Sequence, residues 1–218
     1  MFIPPATATA DAMYPLLRGH GVVLEPLTIS HTAELFTAAR PEMFDHFLTW
    51  PQVWTEKSFA AWIGPLLANP KNAPFAIREN GALNGSAGLS SNAKSPWSGR
   101  LVGASSYCDI DPANRAVEIG WTWYTPDAQS TRINPACKLL LLEHAFTKLG
   151  CVRVQLKCDL RNTRSQAAIT KLGATREGVL HQHRIQQNGF IRDTVMYSIT
   201  AAEWPAVKRG LQTRLPAV

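Results

Sequence analysis

The order of elements in this chain predicts an α+β fold, a single domain with a mixed but largely antiparallel central sheet and helices packed on it. Three observations carry that expectation. PFAIREN, LVGASSYCDID and NRAVEIGWTWY follow one another as strands with no helix between them, which indicates antiparallel neighbours. From Val117 to Asp159 the pattern is strand, helix, strand, so those two strands are parallel and joined by a crossover. Near the end, Asn188-Gly189 separates two strand-like runs and is the strongest hairpin signal in the sequence.

Residues 1–18, with no basic start and no continuous apolar stretch, read as a loose arm and not as a signal peptide. GVVLEPL (21–27) is a strand, and Ser30 is the expected cap of the helix SHTAELFTAAR, with Glu34 early and Arg40 late as the helix dipole favours. MFDHFLTWPQVW is aromatic and broken by Pro51; Thr55 then caps a second helix, in which Pro65 marks a kink or an end. Residues 81–99, rich in Gly, Ser, Ala and Asn, exceed the few residues a hairpin needs, and read as an inserted flexible loop, a disordered flap or else a functional lid, with Trp97 as its one anchor. Beyond the strand that ends at Tyr124, a polar loop leads to a helix from Pro135 to Leu149. The strand CVRVQLKCD follows, then a helix ended by Gly173, the hairpin strands and a helical tail.

Bulk composition excludes several classes. The chain has 218 residues, 45% hydrophobic and 17% charged, as expected of one globular domain. The longest apolar run, KLLLLEHAF, is interrupted by Glu143 and His144 and is far shorter than the ~18 residues a membrane span requires. No membrane partner and a cytoplasmic location are expected. The formal charge is +6, but the basic residues are scattered and not gathered on one element, so nucleic acid is not an expected partner. Cys108, Cys137, Cys151 and Cys158 lack metal-ligand spacing and are expected to be reduced and buried. His181 and His183 are read as a polar strand face, both on one side, and no metal site is expected.

The loop before Pro135 raises a chemical question. Asn134 reads as an N-cap with Pro135 at the first helical position, and a helix start of this kind suits an anion. Arg132 and Lys138 place two cations where the dipole disfavours them, a mismatch that points to a bound phosphate.

AVEIGWTWY, the loop and helix after it, and VRVQLKCDLRNTRSQAAITKLGATREGVL together resemble the GNAT acetyltransferase superfamily, most closely its RimJ/RimL-type branch of ribosomal-protein-alanine acetyltransferases. The resemblance covers roughly residues 21 to 200, and its most specific run is Asn162 to Gly178. It implies acetyl-CoA as co-substrate, lying between two parallel strands that splay apart. Its pantetheine arm would pair with backbone at Thr122, Trp123 and Tyr124. Its pyrophosphate would sit in the loop holding Gln129, Arg132, Ile133 and Asn134, with Lys138 supplying charge. Gln129 matches the first position of the superfamily loop, whereas Arg132 and Asn134 replace small residues. Asn162 is either a pantetheine contact or a helix cap, and Ser165 corresponds to the hydroxyl near the sulfur.

The acceptor amine must lose a proton, since alkyl amines have a pKa near 10. Glu118 is the first candidate for the base, with Asp109 and His183 next. Trp50 and Trp54 are candidates for the acceptor wall, while Trp121 and Trp123 read as core. The expected reaction is acetyl transfer to a primary amine of a small molecule, including an amine antibiotic such as an aminoglycoside. Acetylation of a protein N-terminus and a non-catalytic acyl-CoA-binding module are the alternatives, and the branch implies a homodimer.

Overall fold

The structure, a computed structural model, describes residues 15–79 and 99–215; the arm up to residue 14, most of the 81–99 insertion and its Trp97 lie outside them. The strands are β1 (Leu17–Gly19), β2 (Val22–Pro26), β3 (Ala73–Glu79), β4 (Arg100–Asp111), β5 (Ala116–Tyr124), β6 (Arg153–Asp159), β7 (Thr175–Ile185) and β8 (Ile191–Thr200). The helices are α1 (Thr32–Ala38), α2 (Glu56–Ala68), α3 (Ile133–Thr147), α4 (Thr163–Leu172) and α5 (Trp204–Gln212). The eight strands form one sheet in the order β1-β2-β3-β4-β5-β6-β8-β7. Every neighbouring pair is antiparallel except β5 with β6.

Alternation along the strands sorts apolar side chains to two faces. On one face Val117, Ile119, Val154, Leu156, Val195 and Tyr197 pack with Leu139 and Leu142 of α3 and Val207 of α5. On the other, Ala76, Leu101, Ala104 and Trp123 meet Leu35 of α1 and Phe59 and Ile63 of α2. The result is three layers, helices above and below one twisted sheet. All four cysteines are buried free thiols.

Several boundaries depart from the expectations. Leu17 and Arg18, assigned to the loose arm, pair with Leu24 and Val23 as β1. Ser30 is not the cap of the first helix: a short turn over Ile29–His31 precedes α1, and Thr28 closes it by donating its backbone N–H to His31 Nδ1 at 3.0 Å. Thr55 caps α2 as expected, accepting from Ser58 N–H at 3.2 Å. Pro65 lies inside that helix without ending it. Gly173 ends α4 in the left-handed region, at φ +95°, and Asn188-Gly189 turns β7 into β8.

One irregularity shapes the site. Ala104 pairs with Trp123 and Ser106 with Gly120, so β5 carries an extra residue there, and Trp121 takes φ +52°. A bulge increases local twist and bends its strand. Accordingly β5 pairs with β6 only at Ala116–Arg153, Val117–Val154 and Glu118–Gln155, then diverges.

Candidate active site

Beyond Glu118, the edge of β5 that turns toward β6 has no strand partner, so backbone groups around Thr122, Trp123 and Tyr124 line the opening of the splay. The Tyr124 carbonyl accepts from Gln129 Nε2 at 2.9 Å, and Gln129 Oε1 accepts from Arg164 of α4 at 2.6 Å. Gln129 thus bridges the mouth of the splay. Arg164, exposed at that mouth, is a cation the sequence reading passed over inside RNTRSQ.

The loop from Gln129 to Asn134 contains no glycine. Ser130 adopts φ +61°, the conformation glycine would otherwise supply. Among the described residues, the backbone N–H groups of Ser130, Thr131, Arg132 and Asn134 have no partner. Successive free amides around a left-handed residue form a concavity suited to an anion. The helix start itself offers less than expected. Asn134 is not the cap, because α3 begins at Ile133, whose N–H donates to Thr131 Oγ1 at 3.2 Å. The Asn134 side chain instead accepts from the Tyr124 hydroxyl at 3.2 Å.

Neither expected cation meets the loop with its charge. The Arg132 guanidinium donates to His20 O at 2.9 Å on the β1–β2 turn, packed where a side chain at Gly21 would collide with it. Lys138 points under the sheet and is 5% exposed, its ammonium donating to Thr122 Oγ1 at 2.8 Å, and that hydroxyl lies 2.8 Å from Ser105 Oγ. Burial lowers the Lys138 pKa to about 8. The dipole mismatch in the sequence therefore arises from long side chains that leave the helix start altogether.

Asn162 caps α4, its Oδ1 accepting from Ser165 N–H at 2.9 Å. Among the described residues its amide nitrogen keeps no partner. The Ser165 hydroxyl lies beside the Cys158 thiol, whose pKa burial raises and that hydrogen bond draws down.

Glu118 lies on the opposite face of the sheet from Cys158, because Cys158 belongs to the core of the α3 side while Lys157 reaches Glu118. It is 4% exposed, with Lys157 Nζ 2.5 Å from its Oε2. Lys157 also lies 3.2 Å from Asp109, which takes φ +48° at the irregular end of β4. Burial pushes the Glu118 pKa up against the pull of Lys157. Lys157 in turn is held up by Glu118 and Asp109 in spite of its own burial. Gly120 keeps this carboxylate in place by default, since a Cβ there would stand 2.6 Å from Glu118 Oε1.

The stretch between α1 and α2 closes over this face. Gln186 Nε2 donates to Phe47 O at 2.8 Å, Gln187 N–H to Leu48 O at 2.9 Å, and Arg192 Nη1 to His46 O at 3.3 Å. Trp50 is held there by backbone, donating to Gln187 Oε1 at 3.3 Å. Trp54 is not free to line a wall; Phe36, Phe44 and Phe59 surround its ring at 5.5–6.0 Å. Half-buried Phe47 and Trp121, 5.8 Å apart, with Trp62 4.7 Å from Trp121, form the aromatic side instead. Trp123 is core, as expected. His181 and His183 do not share a face, because Gln182 at φ +49° breaks the alternation. His181 bonds Asp193 at 3.2 Å, while His183 has its pKa lowered by burial and by Arg184, Lys157 and Arg192.

Comparison with known proteins settles the class. Residues 22–175 match the family described as "Acetyltransferase (GNAT) domain". The chain belongs to the GNAT acetyltransferase family. It is 31% identical over 112 residues to "Putative ribosomal N-acetyltransferase YdaF" of Bacillus subtilis, a match covering 51% of this chain and 60% of that protein's length. A GCN5-related N-acetyltransferase from Brucella melitensis superposes with a TM-score of 0.78 at 27% identity, over 92% of this chain and 85% of that one. RimJ of Mycobacterium smegmatis, solved with CoA-disulfide, shares the fold at a TM-score of 0.70 and 22% identity, over 92% and 93% of the two chains. Membership of the GNAT family agrees with the resemblance read from the sequence.

Acetyl-CoA is the co-substrate of GNAT enzymes, and this chain's residues fit it. The free β5 edge suits the pantetheine amides, and the unpaired amides of 130–134 suit the pyrophosphate. Lys157, Arg164, Arg192 and His46 border this candidate site and were not among the residues expected from the sequence. Lys157 had a signal in the alternation of VRVQLKCD; the others become neighbours only through pairing distant in sequence.

Proposed function

We propose that this GNAT protein transfers the acetyl group of acetyl-CoA to a primary amine of a small molecule. The observation that carries this reading is the buried Glu118 carboxylate on the strand beside the splay, with Lys157 at 2.5 Å and the α1–α2 stretch closing over it. Acetyl-CoA supplies the acetyl group as a thioester. Glu118 takes a proton from the acceptor ammonium, directly or through water, and its raised pKa makes it a stronger base than an exposed glutamate. The amine nitrogen then bonds to the acetyl carbon as the carbon–sulfur bond breaks. Ser165, at the start of α4, bonds the departing thiolate in this reading, a modest role because a thiolate leaves readily. The free amides of Ser130, Thr131, Arg132 and Asn134 hold the pyrophosphate, and much of the rate comes from fixing two reactants together.

An amine antibiotic such as an aminoglycoside is one acceptor within this reading. A protein N-terminus is the second reading, favoured by the 31% identity to the Bacillus subtilis protein. Thiol release from acetyl-CoA, measured over a panel of amino acids, peptides, polyamines and aminoglycosides, tests the proposal. Amine-dependent release is expected. Tight acetyl-CoA binding with no release above background for any amine would leave only a binding module.

A further inference from the structure

The face that carries Glu118 also holds a guanidinium with no obvious task. Arg192 of β8 is 7% exposed, and beyond the contact of its Nη1 with His46 O its Nε has no hydrogen-bond partner. Among the described residues no carboxylate lies within ion-pair distance of it. Asp159 on β6, whose charge acts on Arg192, is itself held by Arg161 at 2.7 Å. Around it His46 Nδ1, His183 Nδ1 and Thr194 Oγ1 are likewise buried without partners.

Buried polar groups are nearly always paired, and each exception calls for a reason. Four such atoms gathered on β7, β8 and the stretch that closes over them amount to a site made for a polar ligand. Alternation puts Arg192, Thr194 and Met196 on one face, and Met196 pairs with Lys157, the partner of Glu118. The ligand at this patch therefore shares its cleft with the base.

We propose that Arg192 reads the acceptor: the substrate is a primary amine that also bears a carboxylate, its amine at Glu118 and its carboxylate on the Arg192 guanidinium. The assignment rests on the acetyl-transfer reading above and narrows it. A guanidinium matches a carboxylate in shape as well as charge. Lys157 is already neutralised by Glu118 and Asp109, so the cations left to a carboxylate are Arg192 and the exposed Arg184 opposite it in the β7–β8 register. Arg192 lies four residues along β8 from Met196, about 13 Å of strand, so the carboxylate is several bonds from the amine. Polycations such as spermine and aminoglycosides meet here a guanidinium that, among the described residues, no ion pair holds, with Arg184 opposite it.

The test compares ω-amino acids of increasing chain length, each with its own amide, in the thiol-release assay. A peptide with aspartate near its N-terminus, beside its asparagine counterpart, separates a side-chain carboxylate from a free amino acid as the source. The wild-type protein is expected to prefer acid over amide by roughly ten- to hundredfold in kcat/KM. R192Q is expected to bring that ratio near one through the acceptor KM and not through the KM for acetyl-CoA, and R192K to keep part of it. The wild-type ratio decides the matter even where R192Q fails to fold. Equal use of acids and amides, better use of spermine, or a ratio that survives in R192Q overturns the assignment and leaves acetyl transfer standing. No turnover of any amine removes both.

Discussion

Glu118 combines two properties that pull against each other, a raised pKa from burial and an ammonium at 2.5 Å that favours its charged form. A base must be deprotonated to act, so the rate should fall with acid through a pKa above the ordinary glutamate value. E118Q should lower kcat by roughly 10²–10⁴ and abolish that acidic limb; a variant with the wild-type rate and pH profile would show that the proton leaves by another route. At this scale the residues legible in the sequence were those whose role is local. Asn162 as a cap and Gly173 as a helix stop follow from neighbours a few residues away. Arg132 and Lys138 were misread because a long side chain can leave its own helix turn, and the carbonyl and hydroxyl that receive them come from other strands.

The β7–β8 hairpin and the stretch between α1 and α2 act as one element, although some 140 residues separate them. Gln186, 3% exposed, donates to Phe47 O and accepts from Arg161 Nη2 at 2.8 Å. Gln186→Ala leaves that buried carbonyl without its donor, at a cost of about 1–3 kcal/mol. It should lower the melting temperature and raise the acceptor KM while leaving the KM for acetyl-CoA unchanged, since the cofactor loop lies at the other end of the splay. Equal rises in both constants would mean that the hairpin does not belong to the acceptor side. The hairpin itself was legible from Asn188-Gly189, and the α1–α2 segment was legible as aromatic. Their contact was not, because no pattern of propensity encodes which carbonyl a distant glutamine will reach.

The whole molecule is held at its far edge by a buried ionic cluster. Arg78, 4% exposed, pairs with Glu25 of β2 and with both oxygens of Glu34 in α1, and donates to Gly99 O at 3.2 Å where the chain re-enters at β4. His31 Nε2 adds a contact to Glu25 at 3.4 Å. Arg78→Met removes the guanidinium that Glu25 and Glu34 share, and should cost about 3–5 kcal/mol. Denaturant unfolding should show that loss, and a change within 1 kcal/mol would place the cluster outside the stabilising core.

By itself the sequence determined the class of fold, the parallel pair within an antiparallel sheet, the family and its co-substrate. These rest on periodicity, turn residues and contiguous motifs, which the chain carries in short stretches. The tertiary structure alone decided where the sheet splays, because the bulge at Trp121 exists only when β5 is laid against β4. It also decided where the cations go: Lys157 reaches Glu118, Arg192 reaches His46 O, Arg132 reaches His20 O and Lys138 reaches Thr122, a choice set by strand register and by which acceptors each side chain can reach.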